Sequence, residues 1–153
     1  MSLPEKHYTA TVYIVSDTLP RKTLLLHHRK HDKWVPPGGH QELHENPIEA
    51  AIREVAEETG VDIAPYIEAA RAGNEQASYL ALPAYMMEQR IPAYGDEPEH
   101  FHLDMEYIIR VPEQTVNHRA NESHDIGWFT LEQLADLDTW DDVRTVLEQE
   151  LTS

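Results

Sequence analysis

The sequence predicts an α/β fold in which helices pack on a mixed β-sheet. Three observations carry that reading: strand patterns open the chain, a capped amphipathic helix follows at residues 46–59, and further strands lead to a helical C-terminus. At 153 residues the chain suits one domain, 1–153, with no internal repeat, low-complexity tract or linker to divide it.

In order, "YTATVYIVS" (Tyr8–Ser16) and "TLLLHHR" (Thr23–Arg29) are apolar-rich runs of strand length, separated by the polar turn "DTLPRK". "WVPPGG" is expected to be a rigid loop, because two prolines and two glycines adjoin. "NPIEAAIREVAEET" carries the strongest helical signals in the chain. Asn46 suits the N-cap, Pro47 the first helical position, Glu49 the return arm of a capping box, and Gly60 the C-terminal stop. A polar, irregular segment around "RAGNEQAS" precedes the strand "AYMMEQRI" and the loop "PAYGDEPE". "HFHLDMEYIIRV" (His100–Val111) alternates strongly and is a strand, "DIGWFT" is a short one, and "LEQLADLDTWDDVRTVLEQEL" is one helix or two.

Composition narrows the function. With 41% hydrophobic residues the chain can build a core, and no apolar run approaches the roughly 20 residues of a membrane span, so no membrane partner is expected. The N-terminus "MSLPEKHYTA" lacks the basic start and apolar stretch of a signal peptide, and zero cysteines exclude disulfides and thiolate metal sites; both fit a cytoplasmic protein. Any metal must be held by oxygen or imidazole ligands. The 28 acidic against 12 basic side chains argue against a nucleic-acid duplex as partner. A phosphorylated small molecule remains accessible when divalent cations screen the encounter.

The capped helix concentrates the acids in an unusual place. On a helical wheel, Ile48, Ala51, Ile52, Val55 and Thr59 share one arc that would face the sheet. Glu54, Glu57 and Glu58 share the adjoining arc, three and four residues apart, where like charges cost a few tenths of a kcal/mol per pair and half-burial adds to the cost. A solvated acidic face would lie opposite the apolar stripe instead of beside it. Several carboxylates together supply the hard oxygen ligands that Mg²⁺ or Mn²⁺ requires, and a cation turns the repulsion into coordination.

Residues 39–61 resemble the Nudix box, G-x5-E-x7-R-E-U-x-E-E-x-G-U with U aliphatic. Gly39, Glu45, Arg53, Glu54, Val55, Glu57, Glu58, Gly60 and Val61 occupy every fixed position. The resemblance implies an α/β/α sandwich with a mixed sheet and a loop–helix–loop metal site. It further implies Mg²⁺-dependent hydrolysis, with Mn²⁺ as the other candidate ion, of the diphosphate linkage in a nucleoside diphosphate joined to another group X. Carried over position by position, Glu54, Glu57, Glu58 and the carbonyl of Gly39 would bind metal. Arg53 would hold the glutamates, with Glu57 at i+4 as its expected partner, and Glu45 would brace the loop. The family includes non-catalytic domains that sense a nucleotide-derived ligand, which is the alternative reading. Homodimers are common in it, and an open sheet edge would permit one here.

Outside the box the signals are weaker. Family members often place a metal-binding or general-base glutamate in another loop; Glu122 is the first candidate, then Glu97 or Glu99. "LLLHHRKHDKW" is a cationic cluster in which Arg29 is the expected phosphate contact. Strand alternation puts His100, His102, Asp104 and Glu106 on one face, offering His102 and Asp104 to a phosphate, a base or a second metal. His40 and His44 are expected at the surface or in support of the metal ligands, not in direct ligation. Trp34, Tyr85 and Trp128 could stack on a base but are expected in packing. Among nucleoside triphosphates, nucleotide sugars including ADP-ribose, and dinucleoside polyphosphates the sequence does not choose.

Overall fold

The computed structural model describes residues 2–152; Met1 and Ser153, the ends of the expected domain, lie outside the described residues. The elements run β1 (Lys6–Ser16), β2 (Lys22–His28), β3 (Lys33–Val35), β4 (Gly38–His40), α1 (Pro47–Thr59), a 3₁₀ turn (Ala64–Tyr66), β5 (Tyr85–Ile91), β6 (His100–Val111), β7 (Ser123–Thr130), α2 (Leu131–Leu134) and α3 (Asp141–Glu150). The C-terminal segment is thus two helices, divided by the residues around Trp140, which N-caps α3.

β1 organises the sheet. One of its edges pairs in parallel with nearly all of β6, from Lys6↔Phe101 to Ser16↔Val111. Its other edge is shared by β4, antiparallel from Thr9↔His40 to Thr11↔Gly38, and by β2 at Val15↔Thr23. β2 carries β3 on one side and β7 on the other, both antiparallel, and β5 pairs with β6. The sheet is therefore mixed, in the path β3-β2-β1-β6-β5.

Both faces of β1 are buried, which explains its nearly unbroken apolar run. Ala10, Val12 and Ile14 join Leu24, Ile109 and Val111 beneath Ala51 and Val55 of α1. Tyr13, Val15 and Leu25 face the other way and meet Leu134, Val143 and Leu147 of α2 and α3. This is the helix–sheet–helix sandwich. The capping of α1 follows the sequence: Asn46 accepts from the Glu49 N–H, Glu49 accepts from the Asn46 N–H, and Gly60 stops the helix at φ 77°. No helix among the described residues is long and apolar enough to cross a membrane.

The expected loop "WVPPGG" is instead mostly extended. β3 and β4 flank the proline pair, and Pro37 accepts from the Val12 N–H at 2.9 Å. Pairing with distant β2 and β1 overrides the local turn preference. The glycines make that fit: a Cβ on Gly38 would meet the Ala10 carbonyl at 2.2 Å.

Candidate active site

The end of the sheet nearest α1 gathers the box residues with two segments distant in sequence. A cavity of about 290 Å³ is lined by His28, Arg29 and Lys30 from the end of β2, Gly38, Glu54 and Glu58 from the box, and Asn121 and Glu122 from the loop before β7. That loop is tied to β2 by the Arg29 N–H donating to the Glu122 carbonyl (3.1 Å) and Arg29 Nε donating to the Ala120 carbonyl (2.6 Å).

Glu58 is only 9% exposed and has no ion-pair partner among the described residues. Its carboxylate accepts from the Gly38 N–H at 3.0 Å. Burial pushes its pKa up to about 8, and the charge of Glu54 adds to the shift against the Gly38 hydrogen bond. Glu54 is likewise raised by burial, opposed by its bond from Arg53 and by its contact with Glu58. Glu57 is more exposed and turns toward Arg53 Nη1 (3.4 Å) and Arg119 Nη2 (3.7 Å).

Arg53 has a different main partner from the one expected. Its Nε and Nη2 form a two-pronged bond to Glu45 at 2.7 and 2.9 Å, its Nη1 donates to Glu54 at 2.9 Å, and the i+4 arm to Glu57 is the longest of the set. The planar fork of Arg matches a carboxylate in this way, and only the fold brings Glu45 opposite it. Nη2 also donates to the His40 carbonyl at 3.0 Å, so one guanidinium ties helix, loop and β4 together. Its hydrogen bonds hold Glu45 below the usual carboxylate range.

These residues fit a divalent cation. Two crowded carboxylates are partly desolvated, one of them without a basic partner, and a cation would offset their repulsion by coordination. Gly39 completes the cradle: a Cβ there would lie 2.5 Å from the Glu54 carboxylate. Gly39→Ala is therefore expected to keep the fold but displace Glu54, lowering kcat/KM by about tenfold to a hundredfold, a loss of the size that an ångström-scale misplacement produces. Steady-state kinetics across a divalent-ion titration would check this; unchanged rates and ion dependence would show that Gly39 is not part of the cradle.

The NUDIX domain family model matches residues 5–149. The chain belongs to this family. In fold, this Nudix domain is similar to a NUDIX-family hydrolase from Clostridium perfringens (24% identity, TM-score 0.72, 95% of this chain and 96% of that one). It is also similar to the E. coli dihydroneopterin triphosphate pyrophosphohydrolase (19% identity, TM-score 0.69, 99% of each chain). Among curated proteins, a zebrafish m7GpppN-mRNA hydrolase, NUDT17, is 56% identical over 32 residues, which are 21% of this chain. The matched segment covers only about a tenth of that relative's length, 11%.

Of the residues singled out outside the box, Arg29 and Glu122 line the cavity, and the charge of Glu122 helps to raise Glu58. Glu99 pairs with Arg90, and Glu97 sits in a backbone bridge with Tyr94. Asp104 is 7% exposed and occupied within the sheet, accepting from the Thr9 and Thr11 hydroxyls. His102 lies on the sheet face away from α1, where burial and neighbouring imidazoles lower its pKa to about 4. Trp34 packs against Phe129 and His27, and Trp128 donates to the Gln114 carbonyl. Sequence reading missed Arg119, which bridges Glu57 and Glu122 (3.7 and 3.1 Å). Its signal was an arginine three residues before the candidate acid in a chain poor in basic groups.

Proposed function

We propose that this Nudix domain is a Mg²⁺-dependent pyrophosphohydrolase acting on the diphosphate linkage of a nucleoside diphosphate derivative. The observation that carries the reading is the partly buried Glu54 and buried Glu58, which line one cavity together with Arg29 and Lys30. Carboxylates and cations around one cavity suit a polyphosphate whose charge is partly neutralised by metal. Glu54, Glu57, Glu58 and the Gly39 carbonyl would hold Mg²⁺. When bound, the ion would polarise the phosphoryl oxygens, neutralise charge building in the transition state and make water a better nucleophile. Arg29 and Lys30 would orient the phosphates. Arg53 would keep Glu54 aimed through its bond to Glu45, and Glu122 would accept the proton of the attacking water.

The alternative, a domain that senses a nucleotide-derived ligand without turnover, is disfavoured because every box carboxylate is present. A panel of nucleoside triphosphates, nucleotide sugars, dinucleoside polyphosphates and capped dinucleotides, assayed for phosphate or pyrophosphate release with and without Mg²⁺, tests the proposal. Mg²⁺-dependent release of a mononucleotide from at least one class is expected. Saturable binding across the panel with no release from any member would favour the sensor.

A further inference from the structure

The sheet face away from α1 carries a second concentration of metal-binding side chains. His7 on β1 and His102 on β6 are partners in the parallel pairing, and His40 on β4 lies opposite Thr9, two residues along β1 from His7. Alternation of side chains puts the three imidazoles, from three adjacent strands, on one face. One ring nitrogen of each lies within 4.8 Å of the others, and among the described residues they are the three-ligand group that meets this spacing. The box glutamates do not, because Glu57 is drawn aside by two arginines.

We propose that His7, His40 and His102 form a binding site for a divalent transition-metal ion of the Zn²⁺ type, separate from the box carboxylates. Imidazole is a ligand that Zn²⁺, Ni²⁺ and Cu²⁺ favour, whereas Mg²⁺ requires hard oxygens. Two of the rings are already held by a hydrogen bond at one nitrogen, as metal-binding histidines are. His7 Nε2 stands 2.9 Å from the Glu5 carboxylate, an acceptor that keeps the proton on Nε2 and leaves the Nδ1 lone pair free. His100 Nδ1 stands 3.0 Å from the Pro98 carbonyl and donates to it, so its Nε2 is an acceptor. His102 Nε2, 3.2 Å away, then donates to His100, leaving the Nδ1 lone pair of His102 free.

Metal–nitrogen bonds of about 2.0–2.1 Å in tetrahedral geometry set the ligand atoms about 3.3 Å apart. Binding would therefore draw the three rings together, chiefly by turning the exposed His40 ring. The Glu97 carboxylate is near enough for its charge to act on both His40 and His102, which favours a cation between them. A cavity of about 410 Å³ opens beside His7 and His40, with Tyr8, Gln41 and Leu43 on its walls, and provides room for a fourth ligand.

The test is a Co²⁺ titration of the full chain in excess Mg²⁺, followed by visible absorption and by equilibrium dialysis with elemental analysis, then Zn²⁺ competition. One Co²⁺ per chain with the intense visible bands of low coordination is expected, displaced by one Zn²⁺. His102→Ala and His40→Ala should each weaken binding at least tenfold, while Glu58→Gln should retain it. His40 is exposed and its ring packs only on neighbouring imidazoles, so its replacement costs little packing, and circular dichroism verifies the fold. Absence of Co²⁺ binding in excess Mg²⁺, wild-type affinity in both histidine variants, or loss of binding in Glu58→Gln would each overturn the site. None of these outcomes depends on whether the box carboxylates support turnover.

Discussion

Glu58→Gln is expected to lower kcat by about a hundredfold to ten-thousandfold while leaving the protein folded and, without metal at pH 8, more stable than the parent. The loss follows from removing a cation ligand whose contribution to phosphoryl chemistry is several kcal/mol, at roughly tenfold in rate per 1.4 kcal/mol. The gain follows from Glu58 being buried without a basic partner, so that its ionisation opposes folding. Glutamine keeps the acceptor for the Gly38 N–H, and its amide can donate to Glu54 in place of the carboxyl proton. Steady-state kinetics with saturating Mg²⁺ and urea denaturation in chelator measure the two effects on one preparation. Their opposite signs identify a metal ligand, since a residue needed only for folding would lose both activity and stability. Near-parental turnover would remove Glu58 from the ligand set.

The metal-free protein should lose stability as pH rises toward 8, and Mg²⁺ should abolish the loss. Glu58 has a folded pKa of about 8 against an ordinary 4.5. Below pH 4.5 both states hold the proton, and between 4.5 and 8 only the folded state does. Stability therefore falls through that window by about 1.4 kcal/mol per pH unit, roughly 3 to 5 kcal/mol in all. Glu106, raised to about 7 by burial and then by Asp104, acts in the same direction over a narrower range. His102 acts oppositely: its folded pKa of about 4 gives stability that is present above pH 6.5 and lost as pH falls through 4. The two trends cancel in part on the acid side, so the range from pH 7 to 8 isolates Glu58. Denaturation midpoints at half-unit intervals, in chelator and in excess Mg²⁺, should diverge there, and Glu58→Gln should flatten the chelator curve. A flat parental curve in chelator would show that Glu58 ionises without cost to the fold.

α1 was legible almost to the residue because its information is local. Asn46, Pro47, Glu49 and Gly60 act within a turn or two of their own positions, and the apolar arc of Ile48, Ala51, Ile52 and Val55 repeats at the helical period. β6 was legible for the same reason, since alternation needs only neighbours in sequence. β3 and β4 were not, because prolines and glycines signal turns and only the distant strands β2 and β1 make them extended.

By itself, then, the sequence determined the secondary structure of the long elements, the family through a complete box, and which carboxylates crowd on one flank of α1. Tertiary structure alone decided that Arg53 grips Glu45 more closely than Glu57, that Arg29 and Glu122 meet Glu54 and Glu58 around one cavity, and that His7, His40 and His102 converge. The physical reason is the range over which each fact is encoded. Backbone preference and side-chain periodicity act over a few residues, whereas these partners come from strands and loops that become neighbours when β1 takes β6 along one edge and β4 along the other.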